Sequence, residues 1–288
     1  MLRGEAAFRA ARRQRRRATL VALLVFGLCL TISGMVAEVS FATLAAGLPR
    51  IGEYFHRILP RLRWDRLFAD SETEGSLAFW FYRWDEWGLL LVETANMAAL
   101  ATLGGAASAL VLAFLAARNV SPSATIYQIA RRSLEAMRTI PEIVYALIFV
   151  WAFGVGALAG ILAIMIHTTG ALGKLFAEVI ENADMRPWDG LLAAGAGRAL
   201  ACRYAILPQV APNLISYALL RFEINLRGAS VIGFVGAGGI GQEIYKVISF
   251  NYYEEVSAIM VMVIASVTLI DLLSERLRRR ITEAGSSA

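Results

Sequence analysis

"GFVGAGGIGQEIY" runs from Gly233 to Tyr245, and its reading decides the fold. Within it Gly236, Gly238 and Gly241 spell G-x-G-x-x-G, the pattern with which a strand, turn and helix seat a dinucleotide pyrophosphate. That reading needs a buried strand in front, another at βαβ spacing behind, and an acid about 20 residues on for the ribose. The flanks supply none of them. Ahead lies "LISYALLRFEINLRGASVI" (214–232), which has helical character and belongs to a long apolar segment. Behind, "QEIYKVISFNYYEEV" (242–256) is short and polar; Glu254 and Glu255 come too early for the ribose and Asp271 too late.

Working outward, the composition points to a bilayer. The chain has 288 residues, 58% hydrophobic and 18% charged. Charge-free runs at Ala18–Ala37, Thr94–Ala117 and Ile143–Gly173, counting His167 as neutral, each reach or exceed the ~20 residues that cross about 30 Å of hydrocarbon. The basic N-terminus followed by an apolar run resembles a secretory signal, but the run is too long and no small-x-small cleavage site follows, so an uncleaved first span is expected. Cys29 and Cys202 stand far apart with no C-x-x-C and no histidine at ligand spacing, which predicts neither disulfide nor metal site. The net charge of +5 comes from arginines beside apolar spans and gives no nucleic-acid signature.

The pattern predicts an all-α polytopic membrane protein of about six transmembrane helices. A basic cytoplasmic tail occupies 1–17, the first span 18–38, and an extracytoplasmic loop 39–86; five further spans fill 87–288. Spans two to six are expected at Trp87–Ala117, Ile129 to the glycine-rich 154–160 passing Pro141, Ile161–Ile180, Ala211–Ser230 and Val256–Leu273. Arginines at 12–17, 118–138, 186–203 and 276–280 fall on one side of six spans, which places both termini in the cytoplasm of a cell (inner) membrane protein. The six arginines between Arg50 and Arg83 run against that rule. Within that loop Ile51, Phe55, Ile58, Leu59 and Leu62 share one helical face, as expected of a helix lying in the headgroup layer. Trp80, Phe81, Tyr82, Trp84 and Trp87 read as an aromatic belt.

Gly236, Gly238 and Gly239 at the end of the fifth span are then expected to form a re-entrant turn (233–241) near a translocation path, since non-helical backbone at membrane depth must be enclosed by protein or line a cavity. An ordinary loop between spans is the alternative. Arg221, Glu223 and Arg227 lie in or near the fifth span, where charges pair or face a cavity. Glu223 and Arg227 stand at i, i+4 in the favourable order for a salt bridge; Arg221 or Arg227 could instead attract an oxyanion. His167, Thr168 and Thr169 are polar candidates in the fourth span.

Between spans four and five lies "PWDGLLAAGAGRALACRYAILPQVAPNLISY" (187–217). Leu191 to Ala201 predicts a short helix of small residues, ended at Pro208, which lacks an N–H and clashes with a preceding turn. The segment resembles the cytoplasmic coupling loop of permease subunits of binding-protein-dependent ABC importers. Asp189, Gly190 and Leu191 stand at its E-A-A, Gly195 at its glycine, and Leu207 and Pro208 at its apolar-x-Leu-Pro end; aspartate for glutamate and the lost alanines depart from the pattern. "HTTGALGKLFAEVIE" (167–181), residues 203–245 and "DLLSERLRRRI" (271–281) resemble more narrowly the phosphonate-transporter permeases.

That resemblance implies a type I ABC importer permease fold with a coupling loop at 184–209. It also implies a second permease copy, two soluble ATPases and an extracytoplasmic binding protein that delivers phosphonate, phosphate or phosphite. ATP and Mg would be bound by the partner ATPase and no cofactor by this chain. "TTGALGKL" (168–175) lacks the first glycine and the hydroxyl of a P-loop, so this chain is not expected to be the ATPase. An importer permease for an unrelated solute remains open. A membrane-embedded enzyme would want H-E-x-x-H, G-x-S-x-G or facing aspartates, and no catalytic or metal-binding set is found.

Overall fold

The computed structural model describes residues 2–286, and among them every regular element is helical. The chain divides into two compact units at residues 57 and 58. In the first, α1 (Leu2–Val36) continues from the basic segment into the apolar one without a break, and 26 of its residues, Ala11–Val36, are apolar enough to span a membrane. α2 (Phe41–Ile58) carries Phe41, Leu44, Leu48, Ile51 and Phe55 on one side, all exposed. It stops at Ile58, two residues before Pro60, so Leu59 and Leu62 of the expected face lie outside it.

In the second unit a turn-rich stretch leads through α3 (Leu77–Trp80) into α4 (Trp84–Ala116). Ser76 is fully buried and caps α3, accepting the Phe79 N–H at 2.9 Å. α4 packs most extensively on α7 (Ala157–Glu181). The α4 face is a ladder of small residues, Ala98, Ala101, Gly105, Ala109, Ala113 and Ala116, all buried. A Cβ on Gly105 would fall 2.7 Å from Thr168 Cγ2, so close approach of the two backbones depends on that glycine. Leu89, Leu100, Leu103 and Val111 point outward from α4, exposed as lipid-facing side chains are.

The helix expected to pass through Pro141 is two helices. α5 (Ala124–Thr139) and α6 (Glu142–Phe153) meet at an 85° bend. Pro141 holds Ile140 in extended backbone, φ −77° and ψ 124°, which ends α5 before it can reach α6. α5 seats Leu134 against Gly173 of α7, and the backbone of Arg138 lies 2.6 Å from where a Cβ on Gly170 would be.

After α7 come α8 (Arg186–Ala193), α9 (Arg198–Ala201), a π-helical turn (Cys202–Ile206), α10 (Leu207–Ile232), a 3₁₀ turn (Gly233–Val235), α11 (Gly239–Ser249) and α12 (Tyr253–Ser286). By length and apolarity α1, α4, α7 and α12 can span, and the bent α5–α6 pair can form a fifth, broken span. α10 has the length, 26 residues, but carries Arg221, Glu223 and Arg227. α11, an amphipathic helix where the sequence reads as a polar loop, buries Ile240 and Val247. The second unit has three buried clusters. One gathers the ends of α4 and α7 with α8 to α10; a middle one includes Ala101, Ile164 and Leu226; the third gathers Trp87, Ile240, Val247 and Ile259 at the opposite end.

Candidate functional site

Midway along α7 and α10 the polar residues converge. Asn225 and Thr168 are both 0% exposed, and Asn225 Nδ2 donates to Thr102 Oγ1 at 2.8 Å and to Thr168 Oγ1 at 2.9 Å. Thr168 returns a bond to Asn225 Oδ1 at 3.2 Å, while Thr169 donates to the Met165 carbonyl at 2.8 Å. Three helices are thereby pinned by a closed network, as a buried amide requires. Beside it Arg221 Nη2 lies 2.6 Å from His167 Nδ1, and Arg221 Nε reaches Thr168 Oγ1 at 3.4 Å. A guanidinium only donates, so His167 Nδ1 accepts and the ring is neutral, with its proton on Nε2. Glu142, the first residue of α6 after the bend, brings Oε2 to 3.7 Å from the same Nδ1.

Arg221, His167 and Thr168 are thus brought together; Glu223 and Arg227 stand apart. The expected Glu223–Arg227 bridge is absent. Arg227 pairs instead with Asp271 of α12 at 2.8 Å, and Glu223 Oε1 is buried without a hydrogen bond. The competing partner was 44 residues away in sequence, and α12 packs along α10 closely enough for it to win over the local turn. Asn225, Thr102 and Glu142 were not singled out in the sequence. An asparagine four residues past Arg221, on the same helical face, is the signal for the first of them.

The glycine motif folds as a buried turn following α10, not a strand. Gly236, Gly238 and Gly239 all have positive φ (85°, 83° and 69°). Gly236 O accepts the Gly156 N–H at 2.9 Å, and the Ile240 N–H donates to Thr94 Oγ1 of α4 at 2.9 Å. A Cβ on Gly238 would sit 2.8 Å from the Ala157 nitrogen, and one on Gly241 would collide with the Ser230 carbonyl. The backbone approach that the motif permits is made to α7, α4 and α10.

At the end of the unit where α4 and α7 finish, residues 184–209 form a ledge. The expected single helix from Leu191 is two pieces, because Gly195 turns the chain at φ +89° between α8 and α9. Pro208 starts a helix instead of ending one: it lies in the first turn of α10, where no N–H is needed, and the π-helical turn carries α9 into it. Trp188 is buried and roots α8 in the core, whereas Asp189, Gly190 and Ala193 to Gly195 are exposed. Gln209 clamps Asp184 from both sides, accepting its N–H and donating to its carbonyl, each at 3.1 Å. Glu181 binds Arg131 at 3.1 Å and the Arg118 N–H at 2.9 Å, and Asn119 holds the Ile180 carbonyl. α8 itself packs on α9 and the π-helical turn, and these bonds tie the residues just ahead of it to the ends of α4, α5, α7 and α10.

Residues 109–283 match the family model described as the binding-protein-dependent transport system inner membrane component. The chain belongs to this family. The phosphite transport system permease protein PtxC of Stutzerimonas stutzeri is 38% identical over 256 residues, covering 89% of this chain and 86% of that one. The phosphate-import permease protein PhnE of Mycolicibacterium smegmatis is 37% identical over 200 residues, covering 69% and 38%. Among solved structures, the inward-facing MetNI methionine ABC transporter aligns with TM-score 0.58 and 20% identity over 68% of this chain and 95% of that one. A bacterial alginate ABC importer aligns with TM-score 0.59 and 15% identity over 89% and 99%. The fold of this family member is accordingly that of a type I importer permease, a multi-pass inner-membrane protein.

Proposed function

We propose that this permease carries a phosphorus oxyanion, phosphonate, phosphite or phosphate, into the cell, with Arg221 as the fixed cation on its path. What supports this is the partner of Arg221. A guanidinium partly buried among spanning helices is expensive to hold, and its shortest contact, at 2.6 Å, is to a neutral imidazole instead of a carboxylate. Glu142 attracts the same guanidinium through space but accepts no hydrogen bond from it, so its donors stay open to an anion, and its planar fork suits the paired oxygens of a phosphonate or phosphate. Relatives whose names give phosphite and phosphate transport point to the same chemistry.

Two copies form the path in this reading. Two ATPases dock on the α8 ledge in the cytoplasm, where both termini also lie, and bind ATP and Mg²⁺ themselves. An extracytoplasmic binding protein delivers ligand at the opposite end. Closure of the ATPases pushes on Asp189, Gly190 and Gly195, and the Gln209 and Glu181 contacts pass that push to the spanning helices. Differential stabilisation of outward and inward states is what the cycle needs. The glycine turn holds the path's outer wall against α7.

The test is uptake by proteoliposomes holding the permease, its ATPase and its binding protein. Arg221→Ala should lower uptake of the oxyanion at least about tenfold, with partial recovery in Arg221→Lys, since a point charge replaces the fork. Undiminished uptake in Arg221→Ala would sink the reading.

A further inference from the structure

Away from the polar core, at the end opposite the α8 ledge, the start of α12 and the α3 segment enclose a cavity of about 370 Å³. Its walls are aromatic: Trp80, Tyr82, Tyr252 and Tyr253, with Glu254 and Glu255 between them. Tyr82 and Tyr252 are each about half exposed, at 50% and 55%, so the mouth is open. Trp80 Nε1 donates to Ser257 Oγ at 3.0 Å and to the Glu254 carbonyl, which fixes one wall onto the first turn of α12. Tyr82 OH donates to Glu255 Oε1 at 2.7 Å, while Glu255 Oε2 accepts no hydrogen bond and lies 3.7 Å from the Arg83 guanidinium. Burial and that carboxylate push the Tyr82 phenol above its ordinary value, so it stays a neutral donor.

The charges around the cavity do not cancel. Arg83 is shared among Glu86 at 2.5 Å, Glu243 at 3.1 Å and Glu255 at 3.7 Å. Glu254 is exposed and makes no ion pair among the described residues. The turn-rich approach to the cavity places Asp70, Glu72 and Glu74 on either side of Ser71, which itself lines it, with Arg61, Arg63 and Arg66 earlier in the same stretch and only Asp65 among them. Aromatic faces arranged about a carboxylate attract an organic cation through both the ring quadrupoles and the charge.

We propose that this cavity is a socket for a basic side chain, lysine or arginine, of the extracytoplasmic binding protein. The proposal rests on the importer reading above, which puts such a partner at this end. It commits to a protein cation because the cavity opens beside the acidic run 70–74 and Glu254, unpaired among the described residues, the arrangement that steers a basic partner side chain and fixes its register. Tyrosine, tryptophan and arginine are also the side chains on which interface affinity concentrates.

Two measurements on the full chain test it. In the first, methylguanidinium is titrated into the purified permease and followed by saturation-transfer NMR. Saturable binding that is lost in the double variant Glu254→Gln, Tyr252→Ala is expected, and no binding to the wild type overturns the socket whatever the protein transports. In the second, the binding protein's dissociation constant for the reconstituted permease–ATPase complex is measured against salt. The double variant should raise it about tenfold and flatten its salt dependence, while Glu178→Gln at the opposite end leaves it unchanged. A change within twofold overturns the proposal. So does loss of a bound ammonium-headed lipid from the variant with the affinity intact, which would reassign the socket to lipid. A wild-type complex with no affinity for any binding protein would fail the importer reading and with it the partner, whereas the methylguanidinium result would still report the chemistry of the cavity.

Discussion

The chain uses glycine at two places for opposite reasons. In the turn after α10, Gly233, Gly238 and Gly241 are glycines because this protein's own backbone occupies the space a Cβ would take. On the α8 ledge, Gly190 and Gly195 have nothing within 4 Å of that position. The first set explains how the molecule holds together; the second has no explanation inside the chain beyond the positive φ of Gly195. A small residue kept on an exposed face with room to spare is what a surface needs when another protein is to lie flat on it.

The contrast breaks most readily at Gly241. A methyl there meets the Ser230 carbonyl, and neither backbone can yield without separating α10 from α11. Gly241→Ala is expected to cost on the order of 3 kcal/mol or more. It should appear as a large fall in the thermal melting temperature of the detergent-solubilised permease, or as loss of the folded protein altogether. A melting temperature within a degree or two of wild type would show that the turn is less tightly enclosed than the structure has it.

Gly195 sharpens the same comparison at a smaller scale. Its surroundings are empty but its φ is +89°, so alanine meets backbone strain and no neighbour. Gly195→Ala should cost about 1–2 kcal/mol, the penalty for an L-residue in left-handed backbone. Gly195→Asn, which tolerates that region better, should recover part of the loss in the same melting experiment.

How far these roles could be read from the sequence depended on range. Spans one, two, four and six were legible because an apolar run is a property of consecutive residues, and α1, α4, α7 and α12 are where those runs lie. The glycine motif was legible as a non-nucleotide turn from its flanks alone, but α11 behind it was not, since its apolar face shows only once α4 and α12 are there to receive it. Pro141 and Pro208 were both visible as punctuation. One breaks a span into two helices at 85°, and the other begins a helix, a difference set by whether the preceding residue is extended, as Ile140 is, or helical, as Leu207 is. The polar core was half legible. Arg221, His167 and Thr168 announced themselves as polar residues in apolar runs, whereas the Asn225 bond to Thr102 spans 123 residues and no spacing rule reaches that far. For the same reason the i, i+4 spacing points Arg227 to Glu223, with an oxyanion as the alternative, while its partner in the structure is Asp271.

Gly190 provides the smallest effect on stability and the sharpest test of the comparison. It lies inside α8 with helical backbone and open space, so Gly190→Ala should be neutral or stabilise by up to about 1 kcal/mol, through lower chain entropy in the unfolded state. Gly190→Leu adds bulk that this chain alone can accommodate, and the melting temperature should again stay near that of wild type. If the ledge is kept small for a partner, the leucine variant will lose ATPase co-purification and binding-protein-stimulated ATP hydrolysis while remaining folded and in the membrane. The same loss from a variant that also melts early would be uninformative at Gly195, because strain and docking act there together. At Gly190 they are separable, and a leucine variant that still retains the ATPase would mean that the exposed glycine reflects no contact at all.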